Sequence, residues 1–209
     1  MDASTDPIDI KYPFGIEKIF PTYPKNIIVI AGSPNSGKTA FLLNIVKENM
    51  KRHEIHYFSS EMGASELKSR LEKFKEIPLK DWKFYPKERV SDFAPVIIPD
   101  AVNIIDYMEL LTDIYKVGSY LQEIYSKLTT GIAVIAIQKA FGKELGRGAE
   151  FSLEKPRLYL SIENGKIKII KAKARANPTI NPNGLCKDFK LVDGCLFIDN
   201  HDWYREGVE

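Results

Sequence analysis

The sequence predicts an α/β protein with a mostly parallel central sheet flanked by helices, followed by C-terminal antiparallel strands. Three observations predict it. Ile27 to Ile30 is a run of β-branched residues, the composition of a strand buried on both faces. It leads directly into Gly32-Ser33-Pro34-Asn35-Ser36-Gly37-Lys38-Thr39, which matches G-x-x-x-x-G-K-[ST] at every fixed position. From there to Gln138, short apolar runs alternate with helix-period segments, the pattern of parallel strands joined by crossover helices. After Leu158 the pattern changes to a hairpin around Asn164-Gly165, the strongest short turn signal.

Taken in order, residues 1–25 are polar and then rich in proline (Pro7, Pro13, Pro21, Pro24). They read as an arm, which Tyr12, Phe14, Ile16 and Phe20 would pack on the body formed by residues 26–209. Phe41, Leu42, Ile45 and Val46 place a helix after the glycine-rich loop, running to about Arg52. Ile55 to Ser59 is the second strand, and Leu67, Leu71 and Phe74 mark a helix that ends before Ile77-Pro78. Residues 79–101 hold three prolines, with a brief strand expected around Trp82 to Tyr85. Val102 to Asp106 is the third buried strand. Val117, Tyr120, Leu121, Ile124 and Leu128 form one apolar helix stripe, stopped by Gly131. Ile132 to Ile137 is the fourth buried strand, with Gln138 at its end. The hairpin follows, and Asp188 to Leu191 with Gly194 to Ile198 suggests a second strand pair.

Composition narrows the class. The 209 residues are 44% hydrophobic, enough for the core of one large domain. No apolar run approaches the ~20 residues of a membrane span, and MDASTDPIDI does not read as a signal peptide, so a cytoplasmic protein with no membrane partner is expected. Cys186, Cys195 and His201 fall short of paired metal-ligand spacing. The net charge of +2 is unevenly spread. Residues 139–190 carry twelve Lys and Arg against five Asp and Glu, while residues 191–209 carry one against five. A local basic excess of this kind marks either a solvated surface or a polyanion partner.

The glycine-rich motif implies nucleoside triphosphate binding. Gly32 and Gly37 let the backbone wrap a phosphate closely, and the N–H groups of the loop, Pro34 excepted, and of the following helix then point at the anion. Lys38 adds a charge for the outer phosphates, and the Thr39 hydroxyl is a ligand for Mg²⁺. Ligands of open parallel sheets sit at the carboxyl ends of the strands. Three polar residues stand at such ends: Glu61, Asp106 and Gln138. Asp106 suits a metal-holding acid or an N-cap. Glu61 suits a general base or an exposed helix-start acid. Gln138 suits a sensor of the terminal phosphate.

Several strings carry a family likeness. AGSPNSGKTAFLLNI, the series Glu61-Met62 with Leu67 and Arg70, Ile105-Asp106-Tyr107-Met108-Glu109-Leu110, Gln138 and Ala172-Lys173-Ala174-Arg175-Ala176-Asn177-Pro178 together resemble the RecA-like P-loop NTPases. They are most similar to the motor domain of DnaB-type replicative helicases. The resemblance runs from about residue 26 to 178. It implies a RecA-like fold, Glu61 as catalytic base, Asp106 and Thr39 on Mg²⁺, and Gln138 at the ATP phosphates. It further implies that Lys173 and Arg175 act on the nucleotide of a neighbouring subunit, in a homo-oligomeric ring or filament. Lys171, Lys173 and Arg175 alternate along an expected strand, where exposed lysines would also suit an edge strand. The chain departs from the family at Glu154-Lys155-Pro156-Arg157-Leu158-Tyr159-Leu160, where an acidic stretch is replaced, and the family's collar domain has no counterpart here.

Residues 138–155 lack periodicity and mix Gly142, Gly146 and Gly148 with Lys139, Lys143 and Arg147. Their position matches the DNA-binding loop of RecA-like proteins. Flexible glycine with cations suits contact with single-stranded DNA backbone, and a plain crossover is the alternative. The reading that results is a Mg²⁺-dependent ATP-hydrolysing motor of helicase type, working on DNA in replication or recombination. The alternative is a nucleotide-dependent regulatory or scaffold ATPase that unwinds nothing.

Overall fold

Strands that are apolar on both sides need cover on both faces, and the chain supplies it with helices. The computed structural model describes residues 6–109, 114–199 and 201–207. Of the family-like strings, Leu110 lies outside the described residues. Strand β1 (Ile27–Gly32) is buried along its whole length and is followed by helix α1 (Lys38–Asn49). Then come β2 (Ile55–Ser59), α2 (Ala64–Leu71), β3 (Tyr85–Glu88), β4 (Val102–Met108), α3 (Val117–Lys127) and β5 (Ile132–Gln138). A short helix α4 (Ala149–Glu154) precedes the hairpin of β6 (Leu158–Glu163) and β7 (Lys166–Ala172). The chain continues as β8 (Leu185–Asp188), β9 (Lys190–Val192), β10 (Leu196–Ile198) and β11 (Tyr204–Arg205).

Among the described residues, nine of these strands form one sheet in the order β11-β8-β7-β6-β1-β5-β4-β2-β3. From β6 to β3 every pairing is parallel, and β7, β8 and β11 add on antiparallel. All parallel strands therefore end at one pole of the sheet, the carboxyl pole. Alternation along β1 sorts its side chains. Ile28 and Ile30 join the core under α1 and α2, which also takes Ile10, Ile16 and Phe20 from the N-terminal arm. Ile27, Val29 and Ala31 join Val117, Leu121 and Ile124 of α3 on the other face. Replacing Ile30, which is fully buried, by Ala would cost about 2–5 kcal/mol.

The structure departs from expectation at four places. The brief strand is Tyr85–Glu88, not Trp82 to Tyr85: Trp82 and Phe84 pack on the core while all four strand residues are exposed along the sheet edge. Leu185–Asp188 belongs to the main sheet, so the small separate pair is β9 with β10 alone. Strand β7 ends at Ala172, so Lys173 and Arg175 lie beyond it and do not share a strand face with Lys171. Residues 149–154 of the supposed loop are helical. No helix of the described residues is long and apolar enough to cross a membrane. Cys186 and Cys195 are buried free thiols.

Candidate active site

The loop after β1 is shaped by what its glycines permit. A Cβ on Gly32 would lie 2.5 Å from both Lys38 Cγ and Ser36 Oγ, so only glycine allows the chain to close there. Gly37, at φ +97°, sets the start of α1, and no side chain caps that helix. Its first N–H groups therefore face the cleft unsatisfied by the protein's own side chains. Lys38 Nζ donates to the carbonyls of Gly32 (3.0 Å) and Ser33 (2.8 Å), folding its charge over the loop. Burial pulls the Lys38 ammonium below its ordinary pKa, while Asp106 and Glu61 pull it back.

Three further strand ends, those of β2, β4 and β5, deliver most of the rest of a cleft of about 320 Å³. Its lining combines the loop with Glu61, Arg70, Asp106, Tyr107 and Gln138, and Leu191 and Gly194 close one side. Asp106 is 4% exposed and accepts a hydrogen bond from the hydroxyl of the fully buried Tyr57. Burial raises its pKa, and the hydrogen bonds from Tyr57 and Thr39 with the Lys38 charge work the other way. The Asp106–Tyr107 peptide is cis. Glu61 is exposed at the cleft mouth after β2. Tyr107 lies beside it, its phenol pushed up to about 12 by desolvation first and by the Glu61 charge and hydrogen bond next. Gln138 sits level with Gly32 in the β1–β5 register, and the Lys139 N–H donates to the Gly32 carbonyl (3.0 Å).

The structure thus brings together Lys38, Thr39, Glu61, Asp106 and Gln138. It does not bring Lys173 and Arg175 to them. Leu158 of β6 pairs with Ile28 at the start of β1 and with Ala172 at the end of β7, so the two cations stand at the amino pole. The six residues of β1 alone put roughly 20 Å between the two ends. Both are exposed. Lys139 departs from its expected role as a DNA contact. It is 3% exposed, and its Nζ is held by Glu163 Oε1 (2.6 Å) and by the carbonyl of Lys143 (2.5 Å). Lys143 and Arg147 are exposed, and the Arg147 N–H donates to the carbonyl of Gln138 (2.9 Å).

The sequence marks neither Tyr57 nor Tyr107 as a site residue, and it does not place the strand pair expected after residue 188, now β9–β10, beside the cleft. A tyrosine in a strand buried on both faces needs a partner for its hydroxyl, and that was the available signal for Tyr57. The hairpin gave no such signal: Leu191 reaches Gly37 and Cys195 O accepts from Asn44 Nδ2 (2.7 Å) across 151 residues of chain.

The residues present fit a nucleotide and its metal. The Ser36 hydroxyl is buried without a hydrogen-bond partner inside the cradle that a Cβ on Gly32 would fill. Thr39 and Asp106 form an all-oxygen pair of the kind that suits Mg²⁺.

Residues 18–83 match the family model of the DnaB-like helicase C terminal domain. That segment includes Lys38 and Glu61 and stops before Asp106, Gln138 and Arg175. No curated protein sequence matches the chain. Among solved structures, the KaiC-like protein of the hyperthermophilic archaeon Pyrococcus horikoshii OT3 superposes with a TM-score of 0.68 at 15% identity, over 93% of this chain and 99% of that one. At such identity the shared property is the fold. The chain has a RecA-like P-loop fold related to the DnaB type, and the two findings support a nucleotide-dependent ATPase.

Proposed function

We propose that this protein is a Mg²⁺-dependent ATPase that works on DNA as a cytoplasmic motor of helicase type, and that two copies are needed to complete each site. One observation carries the reading. Lys38 and Thr39, Glu61, Asp106 and Gln138 come from four separate strand ends and meet in one cleft around an uncapped helix start. A structural loop would not need a buried acid bonded to the threonine of that loop.

The roles follow from the geometry. The N–H groups of the loop and of α1 hold the phosphates of ATP. Lys38 exchanges its two carbonyl partners for outer phosphate oxygens, which compete well because they are charged. Thr39 and Asp106 would hold Mg²⁺, which would supply positive charge to the phosphates. Tyr57 fixes the Asp106 carboxylate from behind. Glu61 accepts the proton of the attacking water, and Tyr107 orients Glu61. Arg175 and Lys173, out of reach of their own cleft, serve the cleft of the next copy. A face at one pole that meets a face at the other is a head-to-tail contact, and such contacts build rings or filaments. Gln138 touches the loop that carries Lys143 and Arg147 through its carbonyl, which gives the phosphate end of the cleft a route to a DNA strand.

The test is the ATPase rate with and without single-stranded DNA, measured over a protein concentration series. The reading expects hydrolysis that rises with both. Hydrolysis that DNA leaves unaltered would favour the regulatory or scaffold ATPase instead.

A further inference from the structure

The basic excess of residues 139–190 does not stay evenly spread once the chain folds. At the carboxyl pole it is largely neutralised: Lys139 pairs with Glu163, Lys166 with Glu206, and Lys168 with Glu144 and Glu206, while Lys187 pairs with Asp199. Lys155, Arg157, Lys171 and Lys173 form no ion pair among the described residues. They meet at the amino pole, where the Lys173 N–H donates to the carbonyl of Arg157 and the Arg157 N–H to that of Ile27. Lys25, just before β1, joins them. Its Nζ lies 4.8 Å from the centre of the Tyr125 ring, and that of Lys155 lies 3.2 Å from it.

These cations feel one another. Burial and then the charges of Lys25 and Lys173 lower the Lys155 ammonium. Lys171 falls to about 8, through burial first and then Lys173 and Arg157, with Glu154 alone pulling the other way. Its Nζ donates to the main-chain carbonyls of Leu153 and Glu154 rather than to a carboxylate. Like charges gathered without counter-charges raise the free energy of the fold, and a bound polyanion relieves that strain.

We propose that the amino pole, at Lys25, Tyr125, Lys155 and Arg157, is a second contact surface for a nucleic-acid strand, remote from the loop of Lys143 and Arg147. The inference rests on the reading that the protein works on DNA. A neighbour's nucleotide is the lesser fit. One triphosphate already meets Lys38 and the loop N–H groups, and Arg175 with Lys173 completes it, which leaves Lys25, Lys155 and Arg157 in excess. A phosphodiester chain presents charge after charge, and the Tyr125 ring holds Lys25 and Lys155 side by side to meet it.

The experiment is fluorescence anisotropy of a labelled oligo(dT) strand over a KCl series. Lys155→Ala with Arg157→Ala should lower the salt slope by about 1.4, that is ~0.7 for each phosphate contact, and weaken binding roughly tenfold near 0.1 M salt. Lys155→Arg with Arg157→Lys should keep the wild-type slope, and ATPase activity without oligonucleotide should not change. Should the double variant fail to give a cooperative melt, the single changes Lys155→Gln and Arg157→Gln should each take about half of the slope change. A wild-type slope in folded alanine variants overturns the proposal. So does a change confined to the concentration dependence of ATPase, which would assign the patch to the neighbour's nucleotide. Wild-type protein that binds no oligonucleotide at any salt removes the DNA reading and this inference together. Binding that depends on Lys143 and Arg147 but not on Lys155 and Arg157 removes the inference alone.

Discussion

At the scale of single residues, the account assigns binding and chemistry to different side chains. The Lys38 ammonium is folded over the loop on the carbonyls of Gly32 and Ser33, where the outer phosphates of ATP are proposed to bind, so Lys38→Ala should abolish ATP binding. Isothermal calorimetry checks it, and unaltered affinity would detach the loop from the nucleotide. Glu61 touches no loop atom among the described hydrogen bonds and faces the cleft mouth with Tyr107. Glu61→Gln should therefore keep ATP affinity and lower turnover by roughly 10²-fold or more, because an amide does not accept the water's proton. Steady-state hydrolysis at saturating ATP decides it, and near-normal turnover would return Glu61 to an exposed helix-start acid. The local order of Lys38, Thr39 and Glu61 is legible in the sequence because each sits at a fixed spacing from a loop or strand. The burial of Lys139 is not legible in that way. Its partner Glu163 lies 24 residues on, at the far end of a strand that pairs on the opposite side of β1.

At the scale of elements, Lys171 ties β7 to the C-terminal end of α4, and its lowered pKa makes that tie pH-dependent. The folded value of about 8 lies below the ordinary lysine value of 10.5, so the unfolded chain binds more protons between these two points. Stability contributed by this group then rises as pH climbs from about 8 towards 10.5 and is level below 8. Wild-type protein should gain thermal stability relative to Lys171→Met over that window. Paired melts at pH 7.5 and 10 read the difference, and a constant gap would mean that the ammonium is solvated in the fold. Elements with a strong period were legible from sequence for the same reason that they are stable. β1 and, as far as Ile137, β5 are apolar along their length, and the stripe of α3 is regular, so burial alone selects them. β3 was displaced because Trp82 and Phe84 imitate strand alternation while packing from an irregular segment. β8 and β11 carry no apolar run of their own. β8 forms because β7 offers an open edge on which Cys186, Lys187 and Asp188 find register, and β11 then pairs Tyr204 and Arg205 with Cys186 and Leu185 of β8.

At the scale of the whole molecule, the parallel sheet separates the two sets of groups that the proposed function requires together. The phosphate loop, Glu61, Asp106 and Gln138 stand at the carboxyl pole, and Arg175 stands at the amino pole. If hydrolysis requires both, each copy is half of two sites. The most direct measurement mixes two inactive variants. Glu61→Gln has an intact Arg175 and a disabled cleft, while Arg175→Ala has an intact cleft and no trans cation. Arg175→Ala alone should bind ATP normally and lose roughly 10³-fold in turnover, because the missing charge acts on the transition state. Titrating one variant into the other at constant total protein should give ATPase activity that neither shows alone, with a maximum near equal amounts. Mixtures that assemble, as judged by light scattering, and yet stay inactive at every ratio would contradict the account.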